Sequence, residues 1–203
     1  MAGMKHVGLI LCLALAGLSA CTTPTPTQTA DVCLILEDNR AWWRAIQRTE
    51  RRWGVPPGVQ LAILKRESSF NAHARPARNR LFGIIPGRRP SSAYGYAQAL
   101  DSTWDWYRED SGRGGANRNN FGDAVDFVGW YADKSRRLSG IDPHNARDLY
   151  LSYHEGHGGY NRGSYRSNSW LLRVSAEVQR DATRYETQIN GCERRLSHRF
   201  WLF

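Results

Sequence analysis

Pro56-Pro57-Gly58-Val59-Gln60-Leu61-Ala62-Ile63-Leu64-Lys65-Arg66-Glu67-Ser68-Ser69-Phe70 is the stretch on which the rest of the chain turns. Proline suits the first turn of a helix, where its missing N–H is not needed. From there Val59, Ile63 and Leu64 recur at helical spacing. Glu67 follows Leu64 and Ile63 by three and four positions, so it falls on the apolar stripe of this helix. A carboxyl group on an apolar face is desolvated, its pKa rises, and it keeps a proton that it can donate. The competing reading is a surface glutamate paired with Lys65 or Arg66.

On the C-terminal side, 71–90 has no helical period and is rich in Arg, Pro and Gly; Leu81 to Pro86 reads as a short hairpin or a loop. Ser102-Thr103-Trp104-Asp105 resembles a capping box, opening a short helix that ends near Gly112. Residues 111–120 read as a mobile loop with nothing to bury. Asn120 then caps an amphipathic helix with Ala124, Phe127, Val128, Tyr131 and Leu138, stopped at Gly140. Asn145 opens another, carrying Leu149 and Tyr153 and ending at Gly156, with a loop from Gly156 to Ser169. The last helix repeats Leu171, Val174, Val178, Tyr185, Ile189 and Cys192 on one face. On the N-terminal side, Asp38-Asn39 caps a helix with Trp42, Ile46 and Trp53 that ends at Gly54. Helical period dominates and no alternating run is long enough for a real sheet, so the fold class is mainly α with at most a small β-hairpin.

The first residues read as an address. Lys5 precedes the apolar run Val7 to Leu18, too short for a mature spanning helix. Leu18-Ser19-Ala20-Cys21 resembles the lipobox of bacterial lipoproteins, which makes 1–20 a signal peptide and Cys21 the lipid-attachment residue; ordinary secretion with an incidental cysteine is the alternative. Residues 21–31, rich in Thr and Pro, form a flexible tether. Thr22, where Asp would retain a lipoprotein at the inner membrane, implies the periplasmic face of the outer membrane of a Gram-negative bacterium. One folded domain, 32–203, remains, and a monomer is expected.

The chain carries +9, with 8 Trp and 9 Tyr. A basic, aromatic-rich surface suits nucleic acid, an anionic membrane or a charged glycan. Export argues against nucleic acid, and a charged polysaccharide fits both excesses; a charged face kept for solubility is the alternative. Of four cysteines, Cys12 leaves with the signal and Cys21 takes the lipid, so Cys33 and Cys192 are left to pair in an oxidising compartment. That loop is long enough for roughly 4–5 kcal/mol in the chain-entropy model. Neither cysteine has His or Cys at ligand spacing, and His154-Glu155-Gly156-His157 lacks the four-residue His-to-His step, so no metal and no cofactor is expected.

Three short stretches belong together: Glu67-Ser68, Gly95-Tyr96-Ala97-Gln98, and Ser152-Tyr153-His154-Glu155-Gly156. In this order they resemble the marks of the soluble lytic transglycosylase family, whose catalytic domain is goose-lysozyme-like: a Glu-Ser pair, Gly-Leu-Met-Gln, and Ala-Tyr-Asn-x-Gly. The first mark matches fully, the second at Gly95 and Gln98, the third at Tyr153 and Gly156. His154 in place of Asn, and the long insertion between the first two marks, are departures.

The resemblance implies a peptidoglycan lytic transglycosylase acting on glycan strands at the β-1,4 bond between N-acetylmuramic acid and N-acetylglucosamine. Such enzymes leave a 1,6-anhydro end and use one carboxyl group, here Glu67, as acid and then base. It further implies that Ser68 and Gln98 bond the sugar, that Tyr153 orients Glu67 or the acetamido group, and that Tyr96 is a ring-stacking wall. His154 replaces one amide hydrogen bond. Glu155, outside the family pattern, either positions water for hydrolysis or faces solvent near Arg162 or Arg166. A lysozyme-type hydrolase and a non-catalytic peptidoglycan-binding lipoprotein are the competing functions. The role of Phe200 to Phe203 is left open.

Overall fold

A computed structural model describes residue 26 and residues 29–81 and 85–197, without the side chains of 80–86. The expected signal peptide 1–20, the expected lipid site Cys21 and the tail Phe200–Phe203 lie outside the described residues. The elements, in order, are α1 (Val32–Asp38), α2 (Arg40–Trp53), α3 (Pro57–Ser68), the two-residue strands β1 (Arg80–Leu81) and β2 (Ile85–Pro86), α4 (Asp101–Asp110), α5 (Phe121–Ser139), α6 (Ala146–Arg162), a 3-10 turn (Ser164–Ser167) and α7 (Ser169–Ser197). The strands pair antiparallel, Arg80 opposite Pro86 and Leu81 opposite Ile85. The fold is mainly α, as the helical periods require.

The centre is α3. Every residue from Pro57 to Leu64 is buried, so its first two turns carry no solvent face at all, where the spacing had indicated a stripe. A helix apolar all round belongs in the middle of a bundle, and α3 packs against α7, α5, α6 and α2. Its contact with α7 needs Gly58: a methyl group there would collide with the Ala182 carbonyl oxygen. The α2–α5 crossing is as close at Gly129, where a methyl would meet Thr49 and Trp53.

The repeating face of α7 is buried as read: Leu171, Val174, Val178, Tyr185, Ile189 and Cys192 all face the core. On α5, by contrast, Leu138 is exposed, because the helix outlasts its packing by a turn. Helix α1 has no long apolar period to announce it; Asp31 caps it by accepting from the Cys33 and Leu34 N–H groups. Cys33 and Cys192 form the disulfide that ties α1 to α7, with Cα atoms 6.2 Å apart.

Three local expectations are corrected. Helix α4 starts at Asp101 behind Leu100, and Ser102 caps nothing; the Asp101 N–H donates instead to Ser92 Oγ at 3.0 Å. Residues 111–120 are tied down. Arg113 pairs with Asp123 at 2.6 Å, Asn117 N–H donates to Asp123 at 2.9 Å, and Arg118 donates to the Ser92 and Ala99 carbonyls. The loop is held by polar partners, which a search for apolar period does not register. Lastly, α6 does not stop at Gly156 but kinks there and runs to Arg162. Among the described residues no helix is long and apolar enough to cross a membrane.

Candidate active site

Glu67 sits in the last turn of α3, where the buried helix first emerges from the core. The chain then reverses sharply: Ser69 and Phe70 both adopt left-handed backbone, with φ of 50° and 62°. Two successive non-glycine residues there are strained. Burial of Phe70, which packs on Trp42 with ring centroids 6.0 Å apart, holds them in place. The α3 end is thereby a rigid mount for Glu67.

Solvent reaches part of the Glu67 side chain. The packed protein around it still removes most of the hydration an ionised carboxylate needs, and this desolvation pushes its pKa from 4.5 up to about 7. The Tyr150 hydroxyl, a hydrogen-bonding neighbour, and the Arg66 charge act in the opposite direction and lose to burial. Tyr150 stands one helical turn before Tyr153 on α6. Both phenols are pushed up, first by burial and then by the Glu67 charge, so both remain protonated donors beside the acid. Tyr150 was not among the expected site residues; its place one turn from Tyr153 is the signal that marks it.

The other expected residues fall as follows. The Tyr153 hydroxyl donates to the Ala97 carbonyl at 2.6 Å, which joins α6 to the Gly95–Gln98 stretch. Gln98, itself at φ 47°, donates through Nε2 to the carbonyls of Ala74 and Gly95 at 2.9 and 2.8 Å. Its amide N–H₂ therefore staples two loops, and only its carbonyl oxygen is left for a ligand. Gly95 is needed twice over: its φ is +78°, and any side chain would strike the Arg118 carbonyl. Ser68 Oγ donates back to the Leu64 carbonyl at 3.2 Å, keeping acceptor capacity toward the site.

Tyr96 is a correction. It is 2 % exposed and lies edge-on to Trp42 and Phe121, at centroid distances of 5.7 and 5.5 Å. It is part of the core under the loop and not a wall of the cleft. The reason is the tight Gly95 turn, which directs the next side chain inward, while Trp42 and Phe121 stack at 3.8 Å to form its seat.

His154 is partly exposed, with Nδ1 3.1 Å from Glu155 Oε1. Glu155 in turn accepts from Ser164 Oγ, and that hydrogen bond holds its pKa below the usual range. The partners of Glu155 are thus Ser164 and His154, in place of Arg162 or Arg166. His157 goes elsewhere, stacked on Tyr131 at 4.5 Å with Nε2 3.2 Å from Ser135 Oγ. The separation of the two histidines follows from Gly156, at φ 71° and ψ 159°, a conformation open essentially to glycine alone. The kink turns the end of α6 away after Tyr150 and Tyr153 have been placed beside Glu67.

A family model described as "Transglycosylase SLT domain" matches residues 9–192. No curated protein matches the chain. The match runs through every element that shapes the Glu67 site, and on that extent the chain belongs to the transglycosylase SLT domain family, which acts on peptidoglycan.

Proposed function

We propose that the chain is a peptidoglycan lytic transglycosylase in which Glu67 is the only catalytic carboxyl group. The observation that carries this reading is the desolvated Glu67 carboxyl, pushed up to about 7 with no acidic side chain among the causes. A group at that pKa is protonated often enough to donate and ionised often enough to accept. Retaining glycosidases set two carboxyl groups about 5–5.5 Å apart. Here Glu155, the acid two residues after Tyr153, is engaged by Ser164 and His154, which favours the single-carboxyl route over hydrolysis.

In this mechanism Glu67 gives its proton to the oxygen bridging N-acetylmuramic acid C1 to N-acetylglucosamine C4. The C1–O bond breaks and the glucosaminyl 4-hydroxyl leaves. The carbonyl oxygen of the muramyl acetamido group bonds to C1 and takes up the positive charge. The Glu67 carboxylate then removes the C6 hydroxyl proton, O6 bonds to C1, and the acetamido oxygen is released. Glu67 ends protonated, and the products are a 1,6-anhydromuramyl end and a free 4-hydroxyl, with no water consumed. Tyr150 steadies the carboxyl group through both transfers, while Tyr153 and Gln98 hold the Gly95–Gln98 stretch against it.

Around this domain we place a signal peptide at 1–20, a lipid on Cys21 and a tether to residue 31, with the enzyme working as a monomer at the periplasmic face of the outer membrane. Cys21→Ser should release the protein from the membrane fraction, and continued retention would refute the lipid anchor.

The deciding experiment digests purified sacculi with the native chain and with Glu67→Gln, followed by mass analysis of the fragments. Native products should be one water lighter than lysozyme products, and Glu67→Gln should lose roughly 10³-fold or more in rate. Reducing ends alone would show a hydrolase. Binding without fragments from the native chain would show a peptidoglycan-binding protein.

A further inference from the structure

Among the described residues, exposed large apolar side chains are few, and one of them lies against the sequence neighbours of Glu67 and Tyr153. Trp170, in the first turn of α7, is 47 % exposed. Its indole is flanked by two side chains from other helices. The Arg66 guanidinium lies 5.8 Å from the ring centroid, and the His154 ring lies 5.7 Å away, tilted by 59°. Arg66 is the residue before Glu67 and His154 the residue after Tyr153. The indole therefore touches the sequence neighbour of Glu67 on α3 and that of Tyr153 on α6, although it comes from a third helix. Trp106, the other exposed indole among the described residues, differs: it packs edge-on to Trp130 at 4.7 Å beneath Lys134.

Its setting holds Trp170 in a defined position. Arg66 also pairs with Glu177 at 3.5 Å, and Glu177 lies two turns along α7 from Trp170, on the same side of the helix. The guanidinium thus bridges ring and carboxylate, and pins the α7 start beside the α3 end. A planar apolar surface that stays half exposed, with a guanidinium over the ring on one side and an imidazole tilted beside it, suits a pyranose on the open side. The C–H face of the sugar covers the indole, and the ring substituents, acetamido oxygen or lactyl carboxylate, meet the N–H donors.

We propose that Trp170 is a stacking platform for a pyranose of the glycan strand next to the cleaved bond, flanked by Arg66 and His154. This rests on the functional reading above, and its test separates the two. The measurement is calorimetric binding of soluble glycan strands to the Glu67→Gln chain, alone and combined with Trp170→Ala or Trp170→Phe. Trp170→Ala should weaken binding roughly tenfold, and Trp170→Phe should recover most of the loss, since a smaller ring keeps a stacking face. In the otherwise native chain, Trp170→Ala should raise KM with kcat little changed. Circular dichroism establishes that each variant is folded. Unchanged affinity for Trp170→Ala, or a loss in kcat alone, would overturn the platform and leave the Glu67 chemistry standing. Failure of the Glu67→Gln parent to bind glycan would overturn the functional reading, and the platform with it.

Discussion

Ionising Glu67 costs the folded chain free energy, and the sign of that cost is testable. The side chain titrates near 4.5 when unfolded and is pushed up to about 7 in the fold. Below the lower value both states hold the proton and nothing is lost. Between the two the unfolded chain releases its proton first, so stability falls as pH rises, and the loss is complete above the folded value. The shift corresponds to up to about 3 kcal/mol. Glu67→Gln should therefore match the native chain in urea unfolding at pH 4 and exceed it at pH 8 by up to about that amount, while being inactive at both. Equal stability at pH 8 would mean that the carboxyl is not desolvated. Glu67 was legible because a helix period placed it beside Ile63 and Leu64. Tyr96 was misread because the direction of a side chain after a left-handed glycine depends on what the loop packs against.

At the scale of the element, the kink in α6 deserves the sharpest test. Gly156 has open space where a side chain would begin, so a methyl group meets nothing within 4 Å. Any loss on Gly156→Ala is then a backbone cost, about 1–3 kcal/mol for a residue forced into that region. The chain has the option of straightening α6, which would displace Tyr150 and Tyr153 from Glu67. Lower urea stability together with reduced turnover is expected; a fully stable and active variant would show that the kink is incidental. Helix ends with local chemistry were readable in advance: Asn120 and Asn145 cap α5 and α6 through their side chains, and Gly54 and Gly140 close α2 and α5 in left-handed geometry. The start of α4 was not, since Leu100 caps it without any side-chain hydrogen bond and the serine further along goes unused.

Across the whole molecule, the covalent tie between Cys33 and Cys192 closes 159 residues of chain. In the chain-entropy model a loop of that size contributes about 5 kcal/mol by restricting the unfolded state. The double variant Cys33→Ala, Cys192→Ala should unfold at markedly lower urea, with a loss of up to that amount. Thiol labelling of the oxidised chain from residue 22 onward should find neither cysteine. Labelling of both before reduction would refute the bridge.

Local physics was enough for the helical class, most helix ends, the buried face of α7 and the acid at the end of α3, because periodicity and caps act between residues a few positions apart. The pairing of the two remaining cysteines also followed from counting. The tertiary structure alone decided that the first two turns of α3 are buried all round, that Gln98 staples loops, that Tyr96 is core, that Tyr150 lies beside Glu67, and that Trp170 meets Arg66 and His154. Each of those depends on which surface of a distant element arrives opposite, and that is set by helix crossings such as the one Gly58 permits, which leave no local mark on the residues they bring together.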